Sequence, residues 1–275
     1  MNASKKVEEK YFDSSFLSFL CTVNKAVEYI KYLLKGKGAH GLHSPFLFEF
    51  YNFCCDKTRL YNAFEVIENE RVCLLKNDRV LHVVDHGAGS RVLKNNERSI
   101  GQIAKTSLKP PKYAQLLFRL NEFIKADRVL ELGTSLGTTA AYLAMSAKQV
   151  CTIEGDSSIQ KEAVSLFNTL GVKNIDSKLG LFDEVLPELK GTFDMVFIDG
   201  HHDGEATISY LNELFPMLTE NACVVLDDIR WSESMQEAWL TDAKDWRFNV
   251  SIDIFEMGIL FKRPGQMKEH FIVRY

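Results

Sequence analysis

The sequence predicts an α/β protein with a doubly wound, mostly parallel sheet that closes in an antiparallel C-terminal hairpin, preceded by a mainly helical N-terminal region. Three observations support this prediction. Apolar residues recur every three or four positions early in the chain, short β-rich runs alternate with helical stretches after Lys112, and a period-two pattern follows near the C-terminus. Alternating β and α segments imply parallel strands covered by helices on both faces.

The composition is that of an ordinary globular protein. The chain has 275 residues, 46% hydrophobic and 25% charged, which excludes disordered, collagen-like and coiled-coil chains. Its net charge of −4 offers no basic excess for nucleic acid or anionic lipid. The six cysteines form no CxxC pair, the charged N-terminus does not resemble a signal peptide, and no apolar stretch approaches the roughly 20 residues of a membrane helix. We therefore expect a cytoplasmic protein that binds neither nucleic acid nor membrane.

The first region, residues 1–111, has a helical rhythm. Its predicted elements are helices over 16–34 and 60–75, a helix that begins at Ser44-Pro45, a strand over Val80–Asp85, and an irregular connection or flap over His86–Leu108. Within the last segment, His86–Arg91 is similar to a phosphate-binding nest, but no helical period follows it, which favours a flexible turn. Pro110 and Pro111 cannot continue a helix interior, so the region ends there.

The second region, residues 112–275, alternates between strand and helix. The β-rich runs are Arg128–Leu132, Val150–Ile153, Phe193–Ile198 and Ala222–Leu226. From Trp246 to Ile254 apolar residues alternate at period two, and Met257–Lys262 follows after almost no loop. Since so short a connection can join only antiparallel neighbours, we expect a hairpin at this edge.

Ligands of open α/β sheets bind outside the carboxyl ends of the strands. The first such end, within Val129–Ala144, is a strand, a turn that contains Gly133 and Gly137, and a helix. Glu154 ends the next strand, about 20 residues beyond Gly133, where an acidic side chain meets the ribose hydroxyls in dinucleotide folds. The sequence therefore predicts an adenosine-containing ligand.

Glu131 distinguishes between two adenosine-containing ligands, NAD and S-adenosylmethionine. A pyrophosphate on this turn would lie near the Glu131 carboxylate, and like charges in a partly dry cleft repel strongly. The fingerprint G-x-G-x-x-G is also incomplete, because Ser135 replaces its second glycine. The sulfonium and ammonium groups of S-adenosylmethionine would instead be attracted, so we favour this ligand over NAD. The alternative is that Glu131 caps or pairs with a neighbouring helix.

Four segments together resemble a known family. They are Glu131–Thr139 (ELGTSLGTT), the acid Glu154, Phe193–Gly200 (FDMVFIDG) and Cys223–Ile229 (CVVLDDI). In this order they resemble the class I S-adenosylmethionine-dependent methyltransferases, and they are most similar to the small-molecule O-methyltransferases around the catechol, caffeoyl-CoA and macrolide sugar enzymes. The resemblance covers about 112–263 and implies a Rossmann-like sheet of seven strands, the last antiparallel.

The resemblance also implies roles for particular residues. Those that would contact the methionine part and backbone of the cofactor are Glu131, Gly133, Ser135, Gly137 and Thr138. Glu154 would hold the ribose, and Gly180, Leu181 and Phe182 would lie beside the adenine, with Phe182 as a stacking face or as plain core. Asp199 is expected at the cofactor as well.

Three acids stand at strand ends and are candidate metal ligands: Asp199, Asp227 and Asp228. If their strands are near neighbours, the carboxylates converge over one cleft and offer the hard oxygen ligands that Mg²⁺ prefers. The metal-dependent O-methyltransferases carry acids here, and the metal would lower the pKa of an acceptor hydroxyl. The alternative is that these aspartates cap helices or bind the cofactor without a metal.

His202 is the candidate general base, acting beside Asp199. The catechol enzyme has a lysine at the corresponding place, whereas an imidazole with a pKa near 6.5 can accept a hydroxyl proton near neutral pH. The alternatives are an exposed turn histidine or a neighbour of the metal. His201 precedes it, and Trp231 is a candidate wall of the acceptor pocket or an anchor for the next helix.

We therefore expect O-methylation of a small hydroxylated acceptor, with S-adenosylmethionine as cofactor and Mg²⁺ as a candidate second one. The N-terminal region would cover the cleft and exclude water. An NAD-dependent oxidoreductase and a non-catalytic cofactor-binding protein remain alternatives. A small-molecule acceptor is the expected partner, and a homodimer is left open.

Overall fold

The computed structural model describes residues 14–38, 41, 43–84 and 96–275. The first elements are the helices α1 (Ser14–Lys35), α2 (Pro45–Cys54) and α3 (Asn62–Leu75), a small antiparallel ribbon of β1 (Val80–His82) and β2 (Glu97–Ser99), and the helices α4 (Ile100–Ser107) and α5 (Pro111–Ile124). The three predicted helices are confirmed. Residues 85–95 lie outside the described part, and with them the glycine-rich segment His86–Arg91.

The remaining elements alternate as predicted. They are β3 (Arg128–Leu132), α6 (Thr138–Ala144), β4 (Gln149–Glu154), α7 (Ser157–Thr169), β5 (Ile175–Leu179), α8 (Phe182–Val185), β6 (Phe193–Ile198), α9 (Gly204–Leu214), β7 (Leu218–Leu226), α10 (Glu233–Asp242), β8 (Val250–Asp253), β9 (Gly258–Phe261) and β10 (Glu269–Ile272). Strand β3 has the bounds that the sequence predicts.

The main sheet has the order β10-β8-β9-β7-β6-β3-β4-β5. Strand β9 runs antiparallel to β7 and β8, and the other neighbours pair in parallel, which confirms the mostly parallel sheet with a C-terminal hairpin. The sheet has eight strands within the described residues rather than the seven expected. The additional strand β10 pairs with β8 at one edge, and Lys37 after α1 forms a bridge to Val273 beside it.

Two elements correct the sequence prediction for His86–Leu108: strand β2 and the helix that follows it. Residues Ile100–Ser107 form the helix α4 instead of an irregular connection. It begins with a capping box, in which the Ser99 hydroxyl accepts from the Gln102 backbone N–H and the Gln102 side chain accepts from the Ser99 N–H. These two bonds satisfy donors that a helix start leaves unpaired, so a short and largely polar helix is stable here.

The helix α2 of the N-terminal region shares a core with the main sheet. Leu47, Phe50 and Cys54 of α2 belong to the same buried cluster as Val129 of β3 and Phe261 of β9. In the described part of the chain, no helix is both long enough and apolar enough to span a lipid bilayer.

The sheet order reverses at β3, whose neighbours are β4 and β6. Crossovers from β3 lead towards β4 on one side, whereas the chain returns from β5 to β6 on the other. Connections that leave in opposite directions open a crevice at the carboxyl ends of the strands. The candidate ligand residues follow β3, β4, β6 and β7 and thus surround this crevice.

Candidate active site

A cleft of about 730 Å³ lies at the switch point of the sheet. The sequence-predicted residues in its wall are Gly133, Ser135, Glu154, Gly180, Leu181, Phe182, Asp199, His202, Asp227 and Asp228. The N-terminal region supplies another part of the wall, including Val83 and the stretch from Lys105 to Pro110. Part of the N-terminal region therefore borders the cleft, as expected of a cover.

The turn after β3 is held by Glu154. One carboxylate oxygen of Glu154 accepts from the Ser135 N–H at 2.8 Å, and the other accepts from the Asp156 N–H at 3.0 Å. Burial raises the pKa of this carboxyl above its ordinary value, while the backbone hydrogen bonds oppose the rise. Glu154 thus fixes the shape of the turn and also borders the cleft.

Glu131 lies fully buried in β3 and does not border the cleft. Its Oε2 accepts from the Thr152 hydroxyl at 2.6 Å, and its Oε1 has no partner among the described residues. Burial raises its pKa well above the ordinary value, and the charges of Asp199 and Glu154 add to that effect. The structure therefore places Glu131 beneath the turn and outside the cleft wall.

Gly137 and Thr138 also lie away from the cleft wall. Gly137 has φ +84°, and a β-carbon there would press into the Phe167 ring and Ala163 of α7. This glycine is thus required by the packing of α6 on α7, a role that differs from the close approach to a ligand expected from the sequence. The hydroxyls of Ser135 and Thr138 are buried without a partner among the described residues.

Phe182 combines the two roles that the sequence left open. Its ring borders the cleft and lies against the Cα of Gly200, where a β-carbon would approach it to 2.7 Å. It also meets the Tyr210 ring edge-on at 5.5 Å between centroids, beside a core cluster that includes Tyr210. A flat ring supported from behind in this way offers its other surface to a planar ligand.

The three predicted metal ligands do not converge on one point. The Lys109 ammonium contacts Asp227 Oδ2 and lies 3.5 Å from Asp199 Oδ2. Asp228 instead faces His202, whose Nδ1 lies 3.9 Å from Asp228 Oδ2. Among the described residues, no three His, Cys, Asp or Glu side chains are arranged to hold a metal ion. The residues present therefore do not fit the magnesium site that the sequence suggested.

Sequence reasoning treated Lys109 only as the residue before two prolines. Its contacts span 90 and 118 positions of the chain, so no local pattern could reveal them. The residue before a proline is held extended, Pro110 is the N-cap of α5, and Pro111 begins this helix, which packs on the core. These constraints explain why Lys109 lies at the carboxyl ends of β6 and β7.

His202 and Trp231 form one corner of the cleft. Their ring centroids lie 5.1 Å apart with an angle of 34° between the planes. Trp231 thus borders the cleft as a wall beside the candidate base. His201 also borders the cleft and contacts Tyr210, whose hydroxyl lies 3.3 Å from His201 Nδ1.

The backbone around the cleft is unusual. The structure records six non-glycine residues with positive φ in the described part, and four of them border the cleft: Ser135 (48°), His201 (65°), His202 (45°) and Asp228 (48°). Left-handed backbone is disfavoured for residues that carry a β-carbon. Such residues persist where the surrounding fold holds them, often at functional sites.

Comparison with known proteins agrees with this geometry. Residues 130–229 match the family model described as a methyltransferase domain. This part of the chain is thus similar to a methyltransferase domain. The matched segment runs from β3 to the residue after Asp228, so it contains the turn, Glu154 and the acids after β6 and β7. The family resemblance predicted from the sequence is confirmed.

The proteins that this chain is similar to include methyltransferases of several kinds. A protein-L-isoaspartate O-methyltransferase of Shewanella piezotolerans is 30% identical over 146 residues, which span 52% of this chain and 64% of that protein. A methyltransferase of Podospora anserina with bound S-adenosylhomocysteine aligns with a TM-score of 0.55 at 13% identity, over 83% of this chain and 97% of the other. An O-methyltransferase of Bacillus cereus, also bound to S-adenosylhomocysteine, aligns with a TM-score of 0.51 at 14% identity, over 76% and 94%. These structures share the fold of this chain.

Proposed function

We propose that this protein is an S-adenosylmethionine-dependent O-methyltransferase that acts on a small hydroxylated acceptor. The observation that carries the proposal is that one cleft joins the Glu154-held turn to a corner lined by His202, Trp231 and Lys109. The turn suits a nucleoside, because Glu154 offers carboxylate oxygens to ribose hydroxyls and Phe182 offers a flat surface to a base. Ser135 adds a buried hydroxyl without a partner among the described residues.

The chemistry requires positioning and the removal of one proton. S-adenosylmethionine supplies an electrophilic methyl group on a sulfonium. The acceptor oxygen forms the bond to the methyl carbon as the carbon–sulfur bond breaks and its electron pair stays on sulfur. His202 takes the hydroxyl proton, since its imidazole borders the cleft and histidine is the side chain that most often serves as a general base. Holding the two reactants in line supplies much of the remaining acceleration.

Calorimetric titration and single substitutions test the proposal. We expect S-adenosylhomocysteine to bind and NADH not to bind. His202→Ala should lower methyl transfer by about 100-fold or more and leave S-adenosylhomocysteine affinity nearly unchanged. His43→Ala is the matched control, because His43 is an exposed histidine outside the cleft wall. Tight NADH binding without methyl transfer would contradict the assignment, and full activity of His202→Ala would remove His202 from the base role.

The relatives favour a second acceptor class. The first of those named protein-L-isoaspartate O-methyltransferases aligns with 52% of this chain, although the aligned region spans only 64% of its own length. An acceptor panel should therefore contain an isoaspartyl peptide beside catechols and sugars. Methyl transfer to the peptide alone would show that the acceptor group is a carboxylate and not the hydroxyl of a small molecule.

A further inference from the structure

The contact between Lys109 and two strand-end aspartates is unlike an ordinary surface ion pair. The Lys109 side chain is 10% exposed and that of Asp227 is 1% exposed. Solvent screens such a buried pair weakly, and removal of one partner would leave an uncompensated charge. The three residues therefore form one electrostatic unit in the cleft wall.

This unit occupies the place at which the sequence predicted a divalent cation. Asp199 and Asp227 both direct a carboxylate oxygen at the ammonium. The third predicted ligand, Asp228, has left-handed backbone and faces His202 instead. A divalent ion between Asp199 and Asp227 would have to displace Lys109, since two cations at the same carboxylates repel each other.

The Lys109 ammonium can also donate a hydrogen bond to the oxygen of the methyl-acceptor molecule. It carries three N–H groups, of which one donates to Asp227, while the Asp199 carboxylate lies at ion-pair distance, 3.5 Å away. Lys109 borders the cleft, so a remaining N–H can reach a ligand there. A donor fixed beside an oxygen that gains negative charge stabilises that charge at no cost in rearrangement.

We propose that Lys109 takes the place of the divalent metal. Its ammonium neutralises Asp199 and Asp227 and donates a hydrogen bond to the acceptor oxygen while the acceptor hydroxyl passes its proton to His202. Methyl transfer is then independent of added metal. This inference rests on the proposed O-methyl transfer and names the group that binds the acceptor oxygen.

Metal dependence is tested first, with the unaltered protein. We expect turnover in excess chelator to equal turnover with Mg²⁺ within about twofold, and we expect electron paramagnetic resonance to detect no Mn²⁺ binding at micromolar concentrations. Restoration of a chelator-treated enzyme by Mg²⁺ of tenfold or more would overturn the proposal, as would tight Mn²⁺ binding that Asp199→Asn abolishes. The Mn²⁺ measurement needs no turnover, so its result stands even if the proposed activity is wrong.

Substitution of the lysine is the second test. Lys109→Met should lower turnover by about 100-fold or more, the usual loss when one such donor is removed, and change S-adenosylhomocysteine affinity less than threefold. Lys109→Arg, which keeps the charge, should recover at least tenfold of that loss. Lys148→Met is the matched control, because Lys148 pairs with Asp127 at 2.6 Å on the exposed surface. Unchanged turnover of Lys109→Met would overturn the proposal.

A folding defect would not hide the answer. If Lys109→Met alone is unstable, the double variant Lys109→Met/Asp227→Asn removes both charges of the buried contact and should fold. We expect the double variant to bind S-adenosylhomocysteine and to be slow in turnover. Full turnover of this folded variant would overturn the proposal.

Discussion

Gly133 packs against the backbone carbonyl of Asp199 so closely that a β-carbon on Gly133 would overlap the carbonyl oxygen. The contact joins the turn after β3 to the segment after β6, which are the two walls of the crevice. Gly133 also has φ +98°, a region that L-residues avoid. The main requirement for a glycine at this position of the family motif is therefore the close approach of two backbone segments.

Gly133→Ala should accordingly destabilise the protein by about 3 kcal/mol or more, because it adds both backbone strain and overlap with backbone atoms. Gly171→Ala is the control, since Gly171 has φ +67° but nothing within 4 Å of its added β-carbon, and should cost only about 1 kcal/mol. Denaturant-induced unfolding measures both values. Equal losses of unfolding free energy in the two variants would show that the overlap at Gly133 is relieved at little cost.

Glu154→Gln should weaken the binding of S-adenosylhomocysteine by about 10- to 100-fold, because the proposed acceptor for ribose hydroxyls, which also accepts from the Ser135 N–H, becomes neutral. Glu162→Gln is the control, since Glu162 pairs with Arg79 away from the cleft wall. Calorimetric titration compares the two variants. Unchanged affinity in Glu154→Gln would mean that the carboxylate serves only the turn.

Phe50→Ala tests whether the N-terminal region and the sheet share a core. Phe50 is fully buried, and its ring lies 6.1 Å from that of Phe123 and 6.2 Å from that of Phe261. Its truncation should cost about 3–5 kcal/mol in one cooperative transition. Phe48, which is 47% exposed on the same helix, should tolerate alanine with a loss below about 1 kcal/mol. Two separate unfolding transitions would instead support independent domains at 1–111 and 112–275.

Asp242 should make the stability of the protein depend on pH. Burial raises the pKa of its carboxyl from 3.8 to about 7, with the charge of Asp245 as a further cause. Between these two pH values the folded state binds the proton more tightly than the unfolded chain, so stability falls as pH rises. Asp242→Asn cannot ionise, and relative to the unaltered protein it should gain about 2–3 kcal/mol between pH 5 and pH 8.

Asp245→Asn is the contrasting variant in that experiment. Although burial opposes it, hydrogen bonds from Arg247 lower the pKa of Asp245 below its ordinary value. A lowered pKa adds stability above the unfolded value, so this variant should lose stability at both pH 5 and pH 8. The loss should be smaller at pH 8, because the variant also removes the repulsion between Asp245 and the ionised Asp242. A pH-independent difference for Asp242→Asn would mean that its carboxyl is hydrated.

The sequence predicted the strands that are buried on both faces and missed those at the edges. Strand β3 was predicted from its apolar run, whereas β5 and β10 are partly exposed edge strands with few apolar residues. Helix α4 was not predicted from the sequence, because only three or four of its residues are buried. Ser99 and Gln102 nevertheless formed a recognisable capping pattern.

The candidate site was predicted in the same uneven way. Residues on the turn after β3 and at the strand ends follow from the fold, because parallel strands bring their carboxyl ends together. Pairing between distant residues does not follow. Lys109 contacts Asp199 and Asp227 only in the folded structure, because the three residues are far apart in the sequence. Asp228 was predicted as a metal ligand from its spacing, but its backbone is left-handed and its carboxylate faces elsewhere.

The left-handed residues around the cleft have a consequence for how the site is assembled. Each of Ser135, His201, His202 and Asp228 holds a conformation that an isolated peptide would rarely visit. Short peptides cut from these loops would therefore lose the arrangement, and grafting them onto another scaffold would not transfer it. The pocket is a product of the entire sheet, formed once folding is complete and already shaped before any reactant arrives.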